Sequence, residues 1–371
     1  MSEIKTGNLP CMTVDKLISY LSAAYASQVL NGLPIKSFPA VMLWGAPGVG
    51  KSDAVKQIAK EIEENTGKKV AVTDIRLILF NPIDLRGIPV ANEDRTLAVW
   101  LKPKIFEMDG GEDVINILFM DEISAAPPSV QAAAYQIALD RTIGEHKLPE
   151  NCIVIAAGNR TTDKSVAYKM PKALANRLMH FEVQASFEAW KKWAVERGIN
   201  EKVLAFLSFR QDYLFGFEGS GDDVAFATPR TWEMVSYILN NVCADIPSAY
   251  PFIAGLIGTG MASEFQTWDK VWGDLPPVER IFEGEYYPIP KSTDALYALI
   301  SSMVSHARIF KDDEEKMANS IRYANGLPAD FSAVLLRDYM CIEKDYKTKL
   351  MRMPEFLKWL KDKGKYLNGN I

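Results

Sequence analysis

The sequence predicts an α/β protein in which a parallel five-stranded sheet, with helices on both faces, is followed by α-helical regions. Between residues 40 and 183, the short apolar runs AVMLW, VAVTDIRLIL, INILFM, CIVIAA and MHFEV alternate with helical stretches. This alternation is typical of buried parallel strands covered by helices. From Ser186 onward the strand pattern stops, and apolar residues recur at helical spacing, as in SFEAWKKWAVERG.

The chain of 371 residues is long enough for more than one domain, and the change of pattern near Ser186 marks the main boundary. Before the sheet, Val14 to Leu30 has apolar residues at helical spacing, with Thr13 as its cap and Gly32 after its end. We therefore divide the chain into an N-terminal lead-in (1–36), an α/β domain (37–184), a helical region (185–265) and a helical C-terminal extension (266–371).

The composition restricts the classes of partner. Hydrophobic residues make up 48% and charged residues 24% of the chain, as in ordinary globular proteins. The formal net charge of −5 disfavours wholesale binding to nucleic acid or to a membrane surface, although a local basic patch stays open. The start of the chain lacks the pattern of a signal peptide, and no apolar run is long enough to span a bilayer. We expect a cytoplasmic protein without a membrane segment.

The cysteines and histidines are scattered along the chain. The four cysteines form no CxxC pair, which is typical of free thiols in a reducing compartment and not of a disulfide framework or a zinc site. The three histidines are equally dispersed, so we expect no histidine-based metal centre. The residues are Cys11, Cys152, Cys243 and Cys341, and His146, His180 and His306.

The stretch VMLWGAPGVGKSDAV combines an apolar strand, a glycine-rich turn and the start of a helix. Its segment GAPGVGKS matches the GxxxxGK[ST] phosphate loop in the required context, which disfavours a turn that binds nothing. The glycines allow successive N–H groups to face an anion at the helix N-terminus. Lys51 would reach the β- and γ-phosphates of a nucleotide, and the Ser52 hydroxyl would bind Mg²⁺. The predicted nucleotide-binding residues are Gly45, Pro47, Gly48, Val49, Gly50, Lys51 and Ser52.

Two adjacent carboxylates, Asp121 and Glu122, follow the apolar run INILFM. At the end of a buried strand, Asp121 suits the binding of Mg²⁺ and Glu122 suits the polarisation of an attacking water. A strand-end turn or a helix cap would also explain the pair. Its position downstream of a phosphate loop favours hydrolysis, because a simple kinase or a GTP switch has less need of the second carboxylate.

A third group of motifs narrows the class of nucleotide-binding protein to which the chain could belong. CIVIAAGNR predicts a strand that ends near Asn159, and MPKALANRLMHFEV and FATPRTWEM follow it in that order. Together with the phosphate loop and the acidic pair, these motifs resemble those of the AAA+ ATPases, specifically the MoxR-like branch with a helix-2 insert. The resemblance covers roughly residues 38–265 and implies that the helical region 185–265 is a lid over a nucleotide-binding domain.

The resemblance implies roles for three further residues. Asn159 matches the first sensor, which helps to position the water beside Glu122, and its alternative role is to cap a turn. Arg177 matches the arginine finger, which serves the neighbouring subunit and can raise turnover roughly a thousandfold; an ordinary surface ion pair is its alternative. Arg230 begins a lid helix, where its charge opposes the helix dipole, and it resembles the second sensor.

Two more arginines are candidates for a subunit interface. Arg160 follows Asn159, where many relatives have proline, and this departure leaves open whether it points into an interface. Arg141 either serves the interface as well or pairs with Glu145 across a turn.

The segment between the second and third predicted strands contains two apolar stretches, GIPVA and TLAVW, around the polar turn NEDR. This pattern predicts a hairpin. By resemblance it is the helix-2 insert, so we expect a hairpin at about residues 86–101 that faces the client side of a ring and helps to engage the client. A surface hairpin without client contact is the alternative.

The C-terminal segment from Lys344 to Lys365 carries eight Lys/Arg against three Asp/Glu, interleaved with aromatic residues. A nucleic-acid patch is one interpretation. An amphipathic helix is the favoured one, because Phe356, Leu357 and Leu360 fall on one helical face and would pack in the core.

Residues and resemblance together predict an ATPase that uses ATP and Mg²⁺ and acts as a homo-oligomeric ring, a hexamer, on a protein client. A partner with a von Willebrand factor A (VWA) domain is the client that the family implies. ATP is inferred from the family, because the loop binds phosphates and not the base. One alternative is a nucleic-acid-directed motor or the nucleotide-driven subunit of a restriction system; another is a scaffold that scarcely hydrolyses.

Overall fold

The computed structural model describes residues 9–160, 168, 170–216, 223–273, 275–343 and 345–367. The first eight residues of the predicted lead-in therefore lie outside the described part. The chain divides into two compact units, residues 1–186 and 187–371. This division lies next to the change of pattern at Ser186.

The first unit alternates strands and helices along the chain. Its strands are β1 (Cys11–Thr13), β2 (Val41–Trp44), β3 (Lys69–Arg76), β4 (Ile88–Ala91), β5 (Ala98–Leu101), β6 (Val114–Asp121), β7 (Thr142–Ile143), β8 (His146–Lys147), β9 (Cys152–Gly158) and β10 (Met179–Gln184). Its helices are α1 (Val14–Leu30), α2 (Lys51–Thr66), α3 (Pro82–Arg86), α4 (Pro128–Asp140) and α5 (Lys172–Ala175).

Six of these strands form one parallel sheet in the order β1–β10–β2–β9–β6–β3. Five of them are the predicted strands, so the parallel α/β architecture is confirmed. The sheet has one strand more than predicted, because Cys11–Thr13 of the lead-in pairs with β10. All six carboxyl ends lie at one edge, where ligands bind in sheets of this kind.

The hydrophobic core has one layer on each face of the sheet. Successive residues of a strand pack into the layers on opposite faces of the sheet. Met42 packs with α4, whereas Leu43 packs with α1 and α2. β6 shows the same alternation at Ile117 and Leu118, and both side chains are fully buried. Burial on both faces explains why these strands are continuous apolar runs.

The four remaining strands form two antiparallel hairpins. β4 pairs with β5, from Ile88 opposite Leu101 to Ala91 opposite Ala98, where the sequence predicts the insert hairpin. β7 pairs with β8 in a shorter hairpin. The His146 ring bonds through Nε2 to the Trp100 carbonyl oxygen at 2.7 Å, so the short hairpin holds the base of the longer one.

All regular secondary structure among the described residues of the second unit is helical, as predicted. Its core is one cluster of buried side chains that extends along the chain from Trp190 to Trp359. None of the described helices of the protein has the length and apolar character needed to cross a bilayer. The α-helices of the second unit are α6 (Phe187–Arg197), α7 (Glu201–Phe209), α8 (Pro229–Asn241), α9 (Ile246–Ile257), α10 (Thr259–Gly273), α11 (Val278–Phe282), α12 (Thr293–Phe310), α13 (Glu314–Ala324), α14 (Ala329–Met340), α15 (Tyr346–Leu350) and α16 (Pro354–Lys363).

The predicted boundary between residues 265 and 266 falls inside α10. The division of this unit into a lid and an extension stays a prediction. In the basic C-terminal segment, Phe356 and Trp359 are fully buried, as an amphipathic helix requires. The assignment of Leu357 to the buried face was wrong, because its side chain is 48% exposed. Lys344 lies outside the described residues.

Candidate functional site

The phosphate loop connects β2 to α2 at the carboxyl edge of the sheet. Gly48 and Gly50 have φ angles of 78° and 104°, in the left-handed region that favours glycine. Gly50 is also the N-cap residue of α2, so the free N–H groups of the first helical turn open toward the loop. The loop therefore has the backbone of an anion-binding nest.

The other loop residues fit the same conformation. Gly45 lies against β10, since a Cβ atom at this position would be 2.6 Å from the Val183 carbonyl oxygen. Val49 is buried among core residues next to α2, and Pro47 is half-buried. The loop is thus held from below by the sheet and leaves its upper side for a ligand.

Lys51 is the first residue of α2, and its residue surface is only 8% exposed. Its Nζ donates to the carbonyl oxygens of Gly45, at 2.6 Å, and Ala46, at 3.0 Å. It also donates to Asn159 Oδ1 at 3.2 Å. The ammonium group is therefore fixed above the loop and beside the end of β9.

Ser52 and Asp121 come together although they are far apart in the chain. The Ser52 hydroxyl donates to Asp121 Oδ2 at 2.9 Å. Hydroxyl and carboxylate oxygens are the ligand types of Mg²⁺, which is usually held by one or two such groups and by substrate phosphates. Among the described residues, no three His, Cys, Asp or Glu side chains converge on a metal position. The Ser52–Asp121 pair offers ligand types that fit this ion.

Glu122 follows β6 in a left-handed conformation, with φ at 58°. This conformation is uncommon for a residue with a long side chain and costs about 1–2 kcal/mol. Local bonds hold it: Glu122 N donates to Asp121 Oδ1 at 2.8 Å, and the Glu122 carbonyl accepts from Ala125 N and Ala126 N.

Asn159 lies directly after β9, the neighbour of β6 in the sheet. Its side chain accepts from Lys51, and its backbone N–H donates to the Ser124 hydroxyl at 2.9 Å. The structure therefore brings together the ends of β2, β6 and β9, which carry the predicted residues of the first unit apart from Arg177. Their catalytic roles stay predictions.

Arg177 lies in the turn between α5 and β10, and it is exposed. Among the described residues it makes no hydrogen bond or ion pair. This leaves its guanidinium accessible from outside the unit. An ordinary surface ion pair, the alternative to the finger, is not formed with any described residue.

The other two candidate interface arginines, Arg160 and Arg141, are bound to their own chain. Arg160 Nη1 pairs with Glu182 Oε1 of β10 at 2.6 Å, and both side chains are mostly buried. Arg141 donates to the carbonyl oxygens of Cys152, at 2.8 Å, and Phe38, at 3.2 Å. Burial lowers the Arg141 pKa. Arg141 therefore does not form the expected pair with Glu145, and its role at a subunit interface stays a prediction.

Comparison with known proteins agrees with this geometry. The model of the ATPase family associated with various cellular activities (AAA) matches residues 40–180. Chaperone MoxR1 of Mycobacterium tuberculosis (strain ATCC 25618 / H37Rv) is 26% identical over 151 residues. That alignment covers 40% of this chain, and the chain spans 36% of the length of that relative.

By these matches, residues 40–180 resemble an AAA+ ATPase domain of the MoxR type.

Two solved structures share parts of this architecture. A putative ATPase from Cytophaga hutchinsonii ATCC 33406 is 14% identical, with a TM-score of 0.34, over 88% of this chain and 94% of its own. The P216G mutant of RuvB from Thermotoga maritima is 14% identical, also with a TM-score of 0.34, over 78% of this chain and 84% of its own. Similarity of this degree carries no argument about function.

The predicted second sensor, Arg230, belongs to the second unit and lies outside the matched residues 40–180. It is exposed in the first turn of α8, where the Thr228 hydroxyl accepts from Thr231 N at 3.2 Å and caps the helix. The cap occupies only part of the helix end, so a cation there still faces unfavourable N-terminal dipoles. The sensor role of Arg230 stays a prediction.

Two residues were missed in the sequence analysis at the nucleotide edge, that is, at the carboxyl ends of the sheet strands together with the phosphate loop. Ser124 is 2% exposed and lies in the turn after Glu122. Asp74 lies near the end of β3, the strand beside β6. Burial and the charge of Asp121 raise the Asp74 pKa, while Arg76 and Lys56 lower it. The sequence signal that could have identified Asp74 was its position just before the end of a predicted strand.

Proposed function

We propose that the protein is an ATPase that uses Mg²⁺ and ATP and acts as a homo-oligomeric ring to remodel a protein client. The observation that carries the proposal is the convergence of three strand ends. Lys51 bonds to Asn159, and Ser52 bonds to Asp121, within one edge of an AAA+ domain. A phosphate loop, a metal-binding pair and a polar sensor at one edge are the parts that hydrolysis of a nucleoside triphosphate requires.

Each residue of the first unit has a distinct task in this proposal. The N–H groups of the loop and Lys51 bind the phosphates, while Ser52 and Asp121 hold Mg²⁺. When bound there, Mg²⁺ would supply positive charge that neutralises charge developing on the phosphate oxygens. Glu122 polarises the attacking water, and Asn159 keeps that water in line.

The ring follows from Arg177. An exposed arginine without a partner in its own described chain can stabilise charge on a phosphate held by the adjacent subunit. A hexamer is the order that the AAA+ family favours. The second-sensor role of Arg230, in the second unit, is part of the same proposal.

A protein client is the favoured substrate class. The relative in Mycobacterium tuberculosis is named a chaperone, and the net charge of −5 disfavours nucleic acid. The insert hairpin presents apolar side chains, with Val99 42% and Leu101 57% exposed, as a surface that contacts a client would. We also propose that the client carries a VWA domain. The proposed location of the protein is the cytoplasm.

The test measures ATP hydrolysis per subunit over a wide range of protein concentration. Specific activity should rise with concentration in the wild-type chain and stay low and flat in Arg177→Ala. Lys172→Ala, which removes an exposed cation on nearby α5, is the matched control and should behave as wild type.

Two results would reject the proposal. Activity that is constant on dilution and indifferent to Arg177 would indicate a self-contained enzyme that needs no ring. Stimulation of hydrolysis by DNA or RNA, lost steeply as salt is added, would indicate a nucleic-acid motor instead.

A further inference from the structure

The turn after β6 contains a buried hydroxyl with a defined partner. Ser124 is 2% exposed, and its Oγ accepts a hydrogen bond from the backbone N–H of Asn159 at 2.9 Å. One residue earlier, Ile123 N donates to the Ala157 carbonyl oxygen at 2.9 Å. The turn that begins at Glu122 is therefore joined to the end of β9 at two successive points.

The same turn is held from its other side by α4. Gln131 is 3% exposed, and its Nε2 donates to the carbonyl oxygens of Ser124, at 3.2 Å, and Ala126, at 3.1 Å. Gln131 Oε1 in turn accepts from the buried Tyr135 hydroxyl at 3.4 Å. Because these groups are buried and bonded, they restrict where Ser124 can lie.

Close packing limits Ser124 further. A Cβ atom added to Gly158 would lie 2.9 Å from Ser124 Oγ and 3.0 Å from its Cβ. The backbone of β9 thus approaches the serine side chain as closely as packing allows. Position 124 therefore requires a side chain that is small enough for the approach of β9 and that carries an oxygen to accept from Asn159 N. Serine meets both requirements.

We propose that Ser124 is a positioning residue that sets Asn159 relative to Glu122 for hydrolysis. The chain of contacts is direct: Glu122 begins the turn, Ser124 Oγ holds Asn159 N, and Asn159 Oδ1 accepts from Lys51 Nζ. The inference rests on the proposed ATPase function. It adds that the acidic turn and the sensor form one rigid unit, connected by a serine hydroxyl.

Loss of this hydroxyl should affect turnover more than binding. The loop and Lys51 stay in place in Ser124→Ala, so the Kd for a non-hydrolysable ATP analogue should change less than about threefold. Displacement of a positioning group can cost on the order of a hundredfold, so kcat should fall about 10- to 100-fold. Ser22→Ala is the matched control, since Ser22 is also 2% exposed and bonds to Glu61 away from the site.

A double-mutant cycle separates positioning from a general structural effect. If Ser124 acts through Asn159, Ser124→Ala should change kcat less than about twofold in an Asn159→Ala background. Amide hydrogen exchange supplies a readout without turnover: the Asn159 N–H should exchange faster in Ser124→Ala and not in Ser22→Ala. If Ser124→Ala does not fold, Gln131→Met provides a second test. It removes only the hydrogen bonds from Gln131 to the turn, and it should lower kcat severalfold.

The outcomes distinguish this inference from the proposed function. An active wild type, an inactive Glu122→Gln and an unchanged kcat for Ser124→Ala would overturn the inference alone. Independent, multiplicative effects of Ser124→Ala and Asn159→Ala would also overturn it. An assembled wild type that does not hydrolyse ATP would overturn both.

Discussion

The nucleotide edge and the insert hairpin belong to one unit but are built in opposite ways. At the edge, Lys51 and Ser124 are almost fully buried, and each is bonded to another strand end. In the hairpin, Ile88 and Leu101 are more than half exposed. The bond from His146 to the Trp100 carbonyl and the close contact of Gly144 with the Arg86 carbonyl hold only its base.

The difference indicates a division of tasks. Groups that must be fixed within a fraction of an ångström are supported by several strands at once. Groups that would meet a variable partner lie on an element that the sheet does not constrain. Changes at the edge should therefore abolish chemistry or stability, whereas changes at the hairpin should leave both nearly intact.

The largest effect is expected for Lys51→Ala. The substitution removes the ammonium that bonds to the loop carbonyls and to Asn159, and with it the charge offered to phosphate. ATP-analogue affinity, measured by calorimetry, should fall at least about a hundredfold, because charge-assisted phosphate bonds are among the strongest in proteins. Lys60→Ala, on the exposed face of the same helix, should bind as wild type. Equal affinities for the two variants would contradict the assignment of the edge.

A smaller effect, on stability, is expected for Gly158→Ala. The added Cβ would lie 2.9 Å from Met42 Cε and from Ser124 Oγ, so the two elements must separate. The free energy of unfolding, measured in urea, should fall by about 1–3 kcal/mol, as for other overpacked cores. Gly110→Ala, with no atom within 4 Å of its added Cβ, should change it little. A neutral Gly158→Ala would show that the edge is looser than its contacts indicate.

The smallest effect is expected at the hairpin base. His146→Ala removes the 2.7 Å bond to the Trp100 carbonyl, a contribution of about 1 kcal/mol to local stability. Limited proteolysis between residues 88 and 101 should accelerate severalfold, while ATP turnover per subunit stays within about twofold. Lys147→Ala, the exposed neighbour on β8, serves as the control. A large loss of turnover in His146→Ala would mean that the hairpin supports the nucleotide edge after all.

The sheet could be predicted because its strands are buried on both faces and therefore form uninterrupted apolar runs. The phosphate loop and the acidic pair could be predicted because nucleotide chemistry demands particular residues at strand ends. β1 could not, since Cys11–Thr13 is too short for a periodic pattern and owes its conformation to pairing with β10. The local sequence contains no pattern that predicts such tertiary pairing.

The individual side chains were harder to predict than the elements. Arg141 could have paired with Glu145, but its position at the end of α4 lets it donate to the carbonyl oxygens of Cys152 and Phe38 instead. Leu357 follows the helical period but meets solvent, because Phe356 and Trp359 fill the contact with the core. Ser124 belongs to no motif, and its importance depends on the approach of β9, which becomes visible only in three dimensions.

One consequence of the loop's seat on β10 concerns communication along the chain. Arg177 stands just before this strand, and the Val183 carbonyl near its end supports Gly45, where no side chain fits. β10 therefore joins the turn of Arg177 to the floor of the phosphate loop over a short, hydrogen-bonded strand. In the proposed ring, this strand would link a subunit's own phosphate loop to the arginine that it offers to its neighbour.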